Sequence, residues 1–286
     1  MVLSNAQWFA APAQILTLDD AITEASATTN LKLVLDSGDS SSYGGSGTTW
    51  SDVSGNDTDF DFGDGSDTDT YPTFNGTSGD LTNYMSFDND PAEWFRVNST
   101  STAAGPAWAN TLHKNGAIFT CCTWLYIPTP TGTGEGALTC WSTASAGWVL
   151  GFLYRQQEAK QNFICGISPT TGPLAINKTS DSAFSYDAWH FVGLSVDEPT
   201  GSGGGFFYLD GDYDQVGSSD TFDATYSNPT TDAAYNRLSI AIGSASTDQG
   251  IPDIGTRIAC CAFWEGTAYA KATFDTIYDT TKGRFV

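Results

Sequence analysis

Short stretches in which apolar and polar residues alternate recur along most of this chain, beginning near residue 31. In the first of them Leu31, Leu33 and Leu35 share one face of an extended strand, whereas Lys32 lies on the other face. Similar stretches follow at intervals of roughly ten residues, separated by turns that contain Gly, Pro, Asn or Asp, and such spacing predicts an antiparallel β-sandwich. From residue 84 onward the predicted strands are 84–87, 93–97, 117–127, 137–141, 148–155, 162–167, 174–176, 189–197, 206–209, 237–243 and 257–265.

A hairpin is predicted where strand 189–197 turns through 198–205 and returns as strand 206–209. Asp210 and Gly211 follow the returning strand. This pair tolerates positive φ and favours a second tight turn, so we expect another reversal of the chain there.

Both ends of the chain depart from the strand pattern. Residues 15–25 suit one short helix, and residues 270–278 form an amphipathic segment that aligns Phe274 and Ile277 at helical spacing. We therefore divide the chain into an N-terminal arm at 1–29 and one β-sandwich domain at 30–286. The arm is expected to pack on the domain or on a neighbouring chain, because terminal segments are ordered only when contacts hold them.

The formal net charge of −22 arises from 33 acidic and 11 basic residues, and only six of the acids are Glu. Asp favours turns, so the loops are expected to carry most of the charge. The sequence has no cluster of Lys and Arg, and its negative field repels both nucleic acid and anionic membrane surfaces. The acidity fits solubility or a saline exterior, with a calcium site as the alternative.

Neither a membrane-spanning segment nor a signal peptide is predicted. The longest apolar runs have only the length of a strand, which is too short to cross a bilayer as a helix. The first residues lack a basic segment followed by a long apolar one, which a signal peptide requires.

The six cysteines show none of the C-x-x-C spacings that are typical of zinc or redox sites. Adjacent cysteines in a strand point to opposite faces, so each adjacent pair places one thiol in the core and one outside. Two interpretations stay open: small buried hydrophobic side chains, or disulfide candidates within or between chains in an oxidising exterior. The cysteines are Cys121, Cys122, Cys140, Cys165, Cys260 and Cys261.

The closest local group of candidate metal ligands is Asp88, Asn89 and Asp90. Oxygen ligands at this spacing suit Ca²⁺, whereas a solvated turn before Pro91 accounts for the same residues. Ca²⁺ is thus the one cofactor that the sequence suggests, on weak grounds.

Three segments, in this order along the chain, resemble the laminin-G-like and pentraxin-like branch of the concanavalin A-like lectin/glucanase superfamily. The first is Phe119-Thr120-Cys121-Cys122-Thr123-Trp124, which is similar to an early aromatic-Thr-x-x-x-Trp strand. The second is the hairpin that pairs Trp189-His190-Phe191-Val192 with Tyr208-Leu209-Asp210-Gly211, and the third is the closing strand from Ile258 to Trp264. The resemblance covers residues 30–280 and implies an all-β fold: a two-sheet antiparallel jelly-roll sandwich.

A further resemblance lies in residues 35–56, from Leu35-Asp36-Ser37-Gly38-Asp39 to Ser54-Gly55-Asn56. This run is similar to the opening of laminin-G-like modules in tailed-phage virion proteins. The resemblance implies a virion-surface or extracellular location. It also implies other structural protein chains as partners, contacted through the arm in a homo-oligomer or particle lattice, together with surface glycans.

Catalysis is not expected. The glucanases of the superfamily carry Glu-x-Asp-x-x-Glu on one strand, and no two Glu of this chain are close in sequence. A Ser-His-Asp triad would have to use His113 or His190, and His190 stands where relatives keep a structural Trp-His pair. Sugar stacking is considered for Trp94, Trp108, Trp141 and Trp148, although most Trp of such a sandwich are core.

The leading hypothesis is therefore a non-catalytic virion-surface or adhesion protein, acting as a capsid decoration, fibre or spike component. Its lectin-like sandwich would serve assembly or the recognition of surface glycans. The alternatives are a secreted, calcium-aided carbohydrate-binding lectin and, third, a glycoside hydrolase.

Overall fold

The computed structural model describes residues 15–63, 67–88, 93–97, 106–112, 116–129, 138–141, 148–154, 163–168, 176–179, 184–215, 221–222, 237–240 and 255–286. Within these residues the chain forms two antiparallel sheets, which confirms the predicted all-β sandwich. Two helices accompany the sheets in this part of the chain, α1 (Leu18–Glu24) and α2 (Lys271–Thr281). No helix of the described residues is long and apolar enough to cross a membrane.

Seventeen strands are present in the described residues. In chain order they are β1 (Leu31–Asp36), β2 (Thr49–Trp50), β3 (Phe60–Phe62), β4 (Thr73–Asn75), β5 (Tyr84–Phe87), β6 (Phe95–Arg96), β7 (Ile118–Ile127), β8 (Leu138–Trp141), β9 (Trp148–Tyr154), β10 (Phe163–Ser168), β11 (Ile176–Thr179), β12 (Ala188–Asp197), β13 (Gly205–Leu209), β14 (Asp212–Gln215), β15 (Thr221–Phe222), β16 (Arg237–Ile240) and β17 (Thr256–Glu265).

The sheet that carries the long strands is called sheet A. Its order is β14-β13-β12-β7-β17-β5-β4, and β1 pairs with the second half of β17. Sheet B has the order β15-β11-β10-β9-β8-β16-β6-β3-β2. The three central strands of sheet A, β12, β7 and β17, each have ten residues and are almost wholly buried.

Sheet A is buried on both faces. Along β7 the side chains of Phe119 and Leu125 point into the core between the sheets, whereas Cys122 and Trp124 point the opposite way into a second apolar cluster. The helices cover this second cluster, and Phe274 of α2 belongs to it. The domain therefore has a third layer of helices over the outer face of sheet A.

The described part of the predicted arm belongs to this helical layer. Thr17 caps α1 by accepting a hydrogen bond from the Asp20 amide, and Leu18 and Ile22 are buried against sheet A and α2. Residues 15–29 thus pack on the domain of their own chain. Residues 1–14, which hold the rest of the arm, lie outside the described residues.

The adjacent cysteines divide between the two apolar layers. Cys121 and Cys261 lie in the core between the sheets, whereas Cys122 and Cys260 lie beneath the helices. A register shift in β17 between Ile258 and Cys260 is responsible for the position of Cys260. All four are buried free thiols, as the interpretation of small hydrophobic side chains requires. The side chains of the other two candidates, Cys140 and Cys165, lie outside the described part of the structure.

The predicted hairpin is present. Strands β12 and β13 pair in register from Val192↔Leu209 to Val196↔Gly205. Asp210 and Gly211 then both take positive φ, of 50° and 102°, and lead directly into β14.

Candidate functional site

A Ser, a His and an Asp come together at the turn after β13. The Nδ1 atom of His190 lies 2.5 Å from Asp210 Oδ2. The Nε2 atom lies 2.8 Å from the Ser185 carbonyl oxygen and 3.3 Å from the Ser185 hydroxyl. The types of residue match a catalytic triad, so geometry and protonation decide whether they can act as one.

The hydrogen-bond partners of His190 favour a protonated ring over a catalytic base. Both ring nitrogens face acceptors, a carboxylate and a carbonyl, and this arrangement is satisfied when both carry a proton. Burial lowers the pKa of His190, but the hydrogen bond and charge of Asp210, with the Ser185 carbonyl, outweigh burial and leave the pKa raised. Because Nε2 already faces the Ser185 carbonyl oxygen, the arrangement favours a donor at Nε2 over an acceptor for the Ser185 hydroxyl proton. The structural role expected for His190 stays a prediction; the other histidine, His113, lies outside the described residues.

Two glutamates organise loops. The Glu198 carboxylate is fully buried, and its Oε2 accepts hydrogen bonds from the Gly116 and Ala117 amides at 2.7 and 2.8 Å. Oε2 of Glu93 accepts from the Asp88 amide at 2.6 Å. Each carboxylate thus holds a turn of the chain.

The candidate metal cluster is only partly described. Asp88 is exposed, and its Oδ2 accepts the Ser86 hydroxyl at 2.7 Å. Asn89 and Asp90 lie outside the described residues. The described side chains include no group of three or more His, Cys, Asp or Glu that could hold a metal ion, so the calcium hypothesis stays a prediction.

The candidate sugar-stacking tryptophans are similarly divided. Trp108 packs at 5.2 Å from Phe263 at the margin of the core between the sheets, and Trp94 is half-buried. The side chains of Trp141 and Trp148 lie outside the described part of the structure.

An open pocket of about 410 Å³ lies on the outer face of sheet A, beside the N-terminal end of α2. The ends of β12, β13 and β14 form one side, and the loop between β17 and α2 forms the other. Its principal side chains are Asp197, Thr200, Phe206, Tyr213, Tyr269 and Lys271.

The pocket combines an exposed aromatic ring with polar groups. Tyr213 is 43% exposed, and its ring centroid lies 4.6 Å from that of buried Phe206, which supports it from below. The Thr200 hydroxyl donates to Asp197 Oδ2 at 2.6 Å, and this orients the carboxylate. Ligand pockets typically have such a mixture of aromatic walls and a few positioned polar groups.

A second feature lies on the same face of sheet A, at the end that the helices leave partly uncovered. Trp189 of β12, Tyr126 of β7, Arg257 of β17 and Tyr84 of β5 form a line across four neighbouring strands, with Trp189↔Tyr126 and Tyr126↔Arg257 in register. We call these four residues the outer row. All four are partly exposed.

Neither the pocket nor the outer row follows from the local pattern of the sequence. Tyr84 and Tyr126 do carry a usable signal, because each directly precedes an apolar residue that faces the core and so occupies the opposite face of its strand. That both tyrosines meet Arg257 depends on pairing between distant strands.

No protein-family model and no curated protein matches this chain. Among solved structures, Trypanosoma rangeli sialidase in complex with sialic acid is similar, with 10% identity and a TM-score of 0.54 over 94% of this chain and 39% of that chain. A botulinum neurotoxin type C structure, described as showing that cell entry depends on interaction with two ganglioside molecules, has 10% identity and a TM-score of 0.56 over 90% and 53%. The botulinum neurotoxin DC binding domain in complex with rat synaptotagmin II has 9% identity and a TM-score of 0.56 over 89% and 52%.

These similarities show the fold alone, an antiparallel β-sandwich, because the identities are so low. The chain spans only about two fifths of the sialidase and about half of the toxin chains.

Proposed function

We propose that this chain is a non-catalytic recognition module that binds glycans in the pocket around Tyr213. The observation that carries the proposal is the exposed Tyr213 ring beside the oriented Asp197 carboxylate, in a pocket of about 410 Å³. That volume lies in the usual range of small-molecule sites, roughly 300–1,000 Å³.

The chemistry of the pocket suits a sugar ring. A hexose has an apolar C–H face and a rim of hydroxyl groups, so it needs an aromatic surface and hydrogen-bonding groups side by side. Tyr213 and Tyr269 supply aromatic surface, and Asp197 supplies carboxylate oxygens as acceptors. Phe206 fixes the Tyr213 ring, which lowers the entropy lost when a ligand binds.

The carboxylates of the pocket favour a binding role over a catalytic one. Most glycosidases require two carboxyl groups on opposite sides of the scissile bond. Asp197 is the carboxylate residue among the described residues that line the pocket, and it already accepts the Thr200 hydroxyl. In the Ser185–His190–Asp210 contact both ring nitrogens of His190 face acceptors, which does not favour a general base either.

We place this activity on a virion or other particle surface, in a capsid decoration, fibre, spike or adhesion protein. The resemblance of residues 35–56 to modules of tailed-phage virions supports this location. A similar sandwich occurs in a botulinum neurotoxin whose cell entry depends on interaction with two ganglioside molecules, and this supports the proposal of glycan recognition. The expected partners are other structural chains and surface glycans.

The test is a glycan-array screen of the whole chain, with calcium and again with a chelator. We expect binding to a defined set of sugars that Tyr213→Ala abolishes, because the exposed ring is lost without disturbing the core. Ile15→Ala is the matched control, since Ile15 has the same exposure of 43% and does not line the pocket.

Binding that both variants retain would place the sugar elsewhere and overturn the proposed site. Absence of glycan binding by the folded protein would overturn the proposed function and favour a purely structural role. Binding that disappears with chelator would favour the calcium-aided lectin instead.

A further inference from the structure

Arg257 differs from the other cations whose contacts are described. Lys32, Lys271, Lys282 and Arg284 each pair with a carboxylate. In the described part of the chain Arg257 forms no ion pair or hydrogen bond with a carboxylate; its guanidinium lies over two rings, 5.0 Å from the Tyr84 centroid and 4.3 Å from the Tyr126 centroid. This is an unusual state for an arginine in a chain whose net charge is −22.

The aromatic groups around Arg257 hold one another in place. Trp189 makes edge contacts with Tyr84 at 5.7 Å and with Tyr126 at 5.8 Å. On its other side Trp189 stacks on Phe285 at 4.4 Å, so the C-terminal segment supports it. The side chains of the outer row are therefore positioned before any ligand arrives, which reduces the entropic cost of binding.

Stacking against rings leaves the hydrogen-bonding edge of a guanidinium unused. The Cζ atom of Arg257 lies over the faces of two rings, and within the described residues no hydrogen bond to a carboxylate occupies its N–H donors. Such an edge matches a carboxylate, which accepts two parallel hydrogen bonds from arginine. The partly exposed rings beside it offer apolar surface of the kind that packs on the C–H face of a sugar.

We propose that the outer row is a second binding site, which takes a carboxylate-bearing sugar with its acid group on Arg257 and its ring on the neighbouring aromatic side chains. The site goes beyond the proposed function, since it does not require the pocket around Tyr213. From Trp189 to Arg257 the row spans two strand spacings, roughly 10 Å, which gives room for two linked sugar rings. A flat, rigid aromatic row favours a pyranose over an acidic peptide, because it offers no unpaired strand edge to which a peptide backbone can bind.

The first experiment compares two disaccharides that differ in one group. Cellobiuronic acid carries a carboxylate where cellobiose carries a hydroxymethyl group. We expect isothermal titration calorimetry of the whole chain to give a Kd for cellobiuronic acid at least about tenfold lower than for cellobiose, as one charge-assisted pair provides. Equal affinities, or no binding of the acid, would overturn the proposal.

Variants identify the residue responsible. Arg257→Gln should remove the preference for the acid, and Arg257→Lys should restore it only in part, because lysine lacks the planar fork. Lys32→Gln is the matched control: it removes one partly exposed positive charge elsewhere on sheet A and should leave both affinities unchanged. Retention of the preference in Arg257→Gln would overturn the assignment.

Three further measurements distinguish binding of an acidic sugar at the outer row from binding in the pocket and from binding of an acidic peptide. In the unmodified protein, the methyl ester of cellobiuronic acid should bind no more tightly than cellobiose, because it has lost its charge, so the test does not depend on a variant that folds. Tyr213→Ala should not alter the preference for the acid, because Tyr213 belongs to the pocket. This variant therefore distinguishes failure of the outer-row proposal from failure of the pocket proposal. Equal binding of an oligoglutamate peptide would identify the ligand as an acidic peptide and overturn the assignment to a sugar.

Discussion

The guanidinium of Arg284 and the carboxylate of Asp36 face each other as a fully buried pair, with hydrogen bonds of 2.8 Å from Nη1 to Oδ2 and 2.6 Å from Nη2 to Oδ1. The carboxylate also accepts the Leu18 amide at the start of α1 and the Gly38 amide after β1. One ion pair therefore joins the first strand, the first helix and the C-terminal segment. Removal of the ion pair should weaken the attachment of α1 and of the C-terminal segment to β1.

Asp36→Asn is expected to lower the free energy of unfolding by about 3–5 kcal/mol, because it leaves the Arg284 charge buried without a partner. Urea titration followed by tryptophan fluorescence measures the change. Asp279→Asn is the control, since its ion pair with Lys282 is exposed and should contribute little. The double variant Asp36→Asn/Arg284→Met should cost less than the two single changes together; strict additivity would contradict the pairing.

The contact between His190 and Asp210 should make stability depend on pH in a defined direction. The folded pKa of His190 is raised above its ordinary value of 6.5. Folding therefore binds the proton more tightly, and the contribution is fully present below pH 6.5 and is lost as pH rises through the folded pKa. The difference in unfolding free energy between the parent and His190→Gln, measured by urea titration across this range, should shrink with rising pH. A difference that grows with pH would contradict a charged His190.

Gly193 of β12 lies directly against the Phe274 ring of α2. A Cβ atom at Gly193 would overlap the ring of Phe274. Gly193→Ala is expected to cost about 1–3 kcal/mol of stability, as overpacking of a filled core does. Thermal unfolding should show partial recovery when Phe274→Leu is added. Gly44→Ala serves as the control, because the nearest atom to its added Cβ is 4.0 Å away.

The buried cysteines should be unreactive in the folded protein. Burial raises the pKa of Cys122 and Cys261 well above the ordinary value, and burial and the charge of Asp36 raise that of Cys260 to about 12. Because the thiolate is the reactive form, peptide mapping after iodoacetamide treatment at neutral pH should find these residues unmodified until urea is added. Modification of Cys122 or Cys260 under native conditions would show that the helical layer opens.

The local pattern of the sequence predicted the long strands well. The predicted strands at 117–127, 189–197 and 257–265 match β7, β12 and β17 to within one residue at each end. These strands are long, aromatic-rich and bounded by turns, so local alternation suffices to define them. The predicted strand at 93–97 is shorter in the structure, where only Phe95 and Arg96 pair with neighbouring strands.

The local pattern could not predict which residues that are distant in sequence come into contact. Arg284 lies 248 positions from Asp36, and the outer row draws on four strands between Tyr84 and Arg257. Both helices were predicted, at 15–25 and 270–278, but their packing together on sheet A depends on contacts between opposite ends of the chain. Strand pairing at long separation, which local alternation does not encode, creates both proposed sites.

Strand β17 lies between β7 and the β1 and β5 strands of sheet A, yet it is the last of the described strands in the chain. During synthesis on the ribosome, the two parts of sheet A that flank β17 therefore have unpaired, apolar strand edges until β17 emerges. Exposed edges of this kind invite pairing with other nascent chains. We expect the yield of folded protein to depend on chaperones and on translation speed more strongly than its final stability suggests.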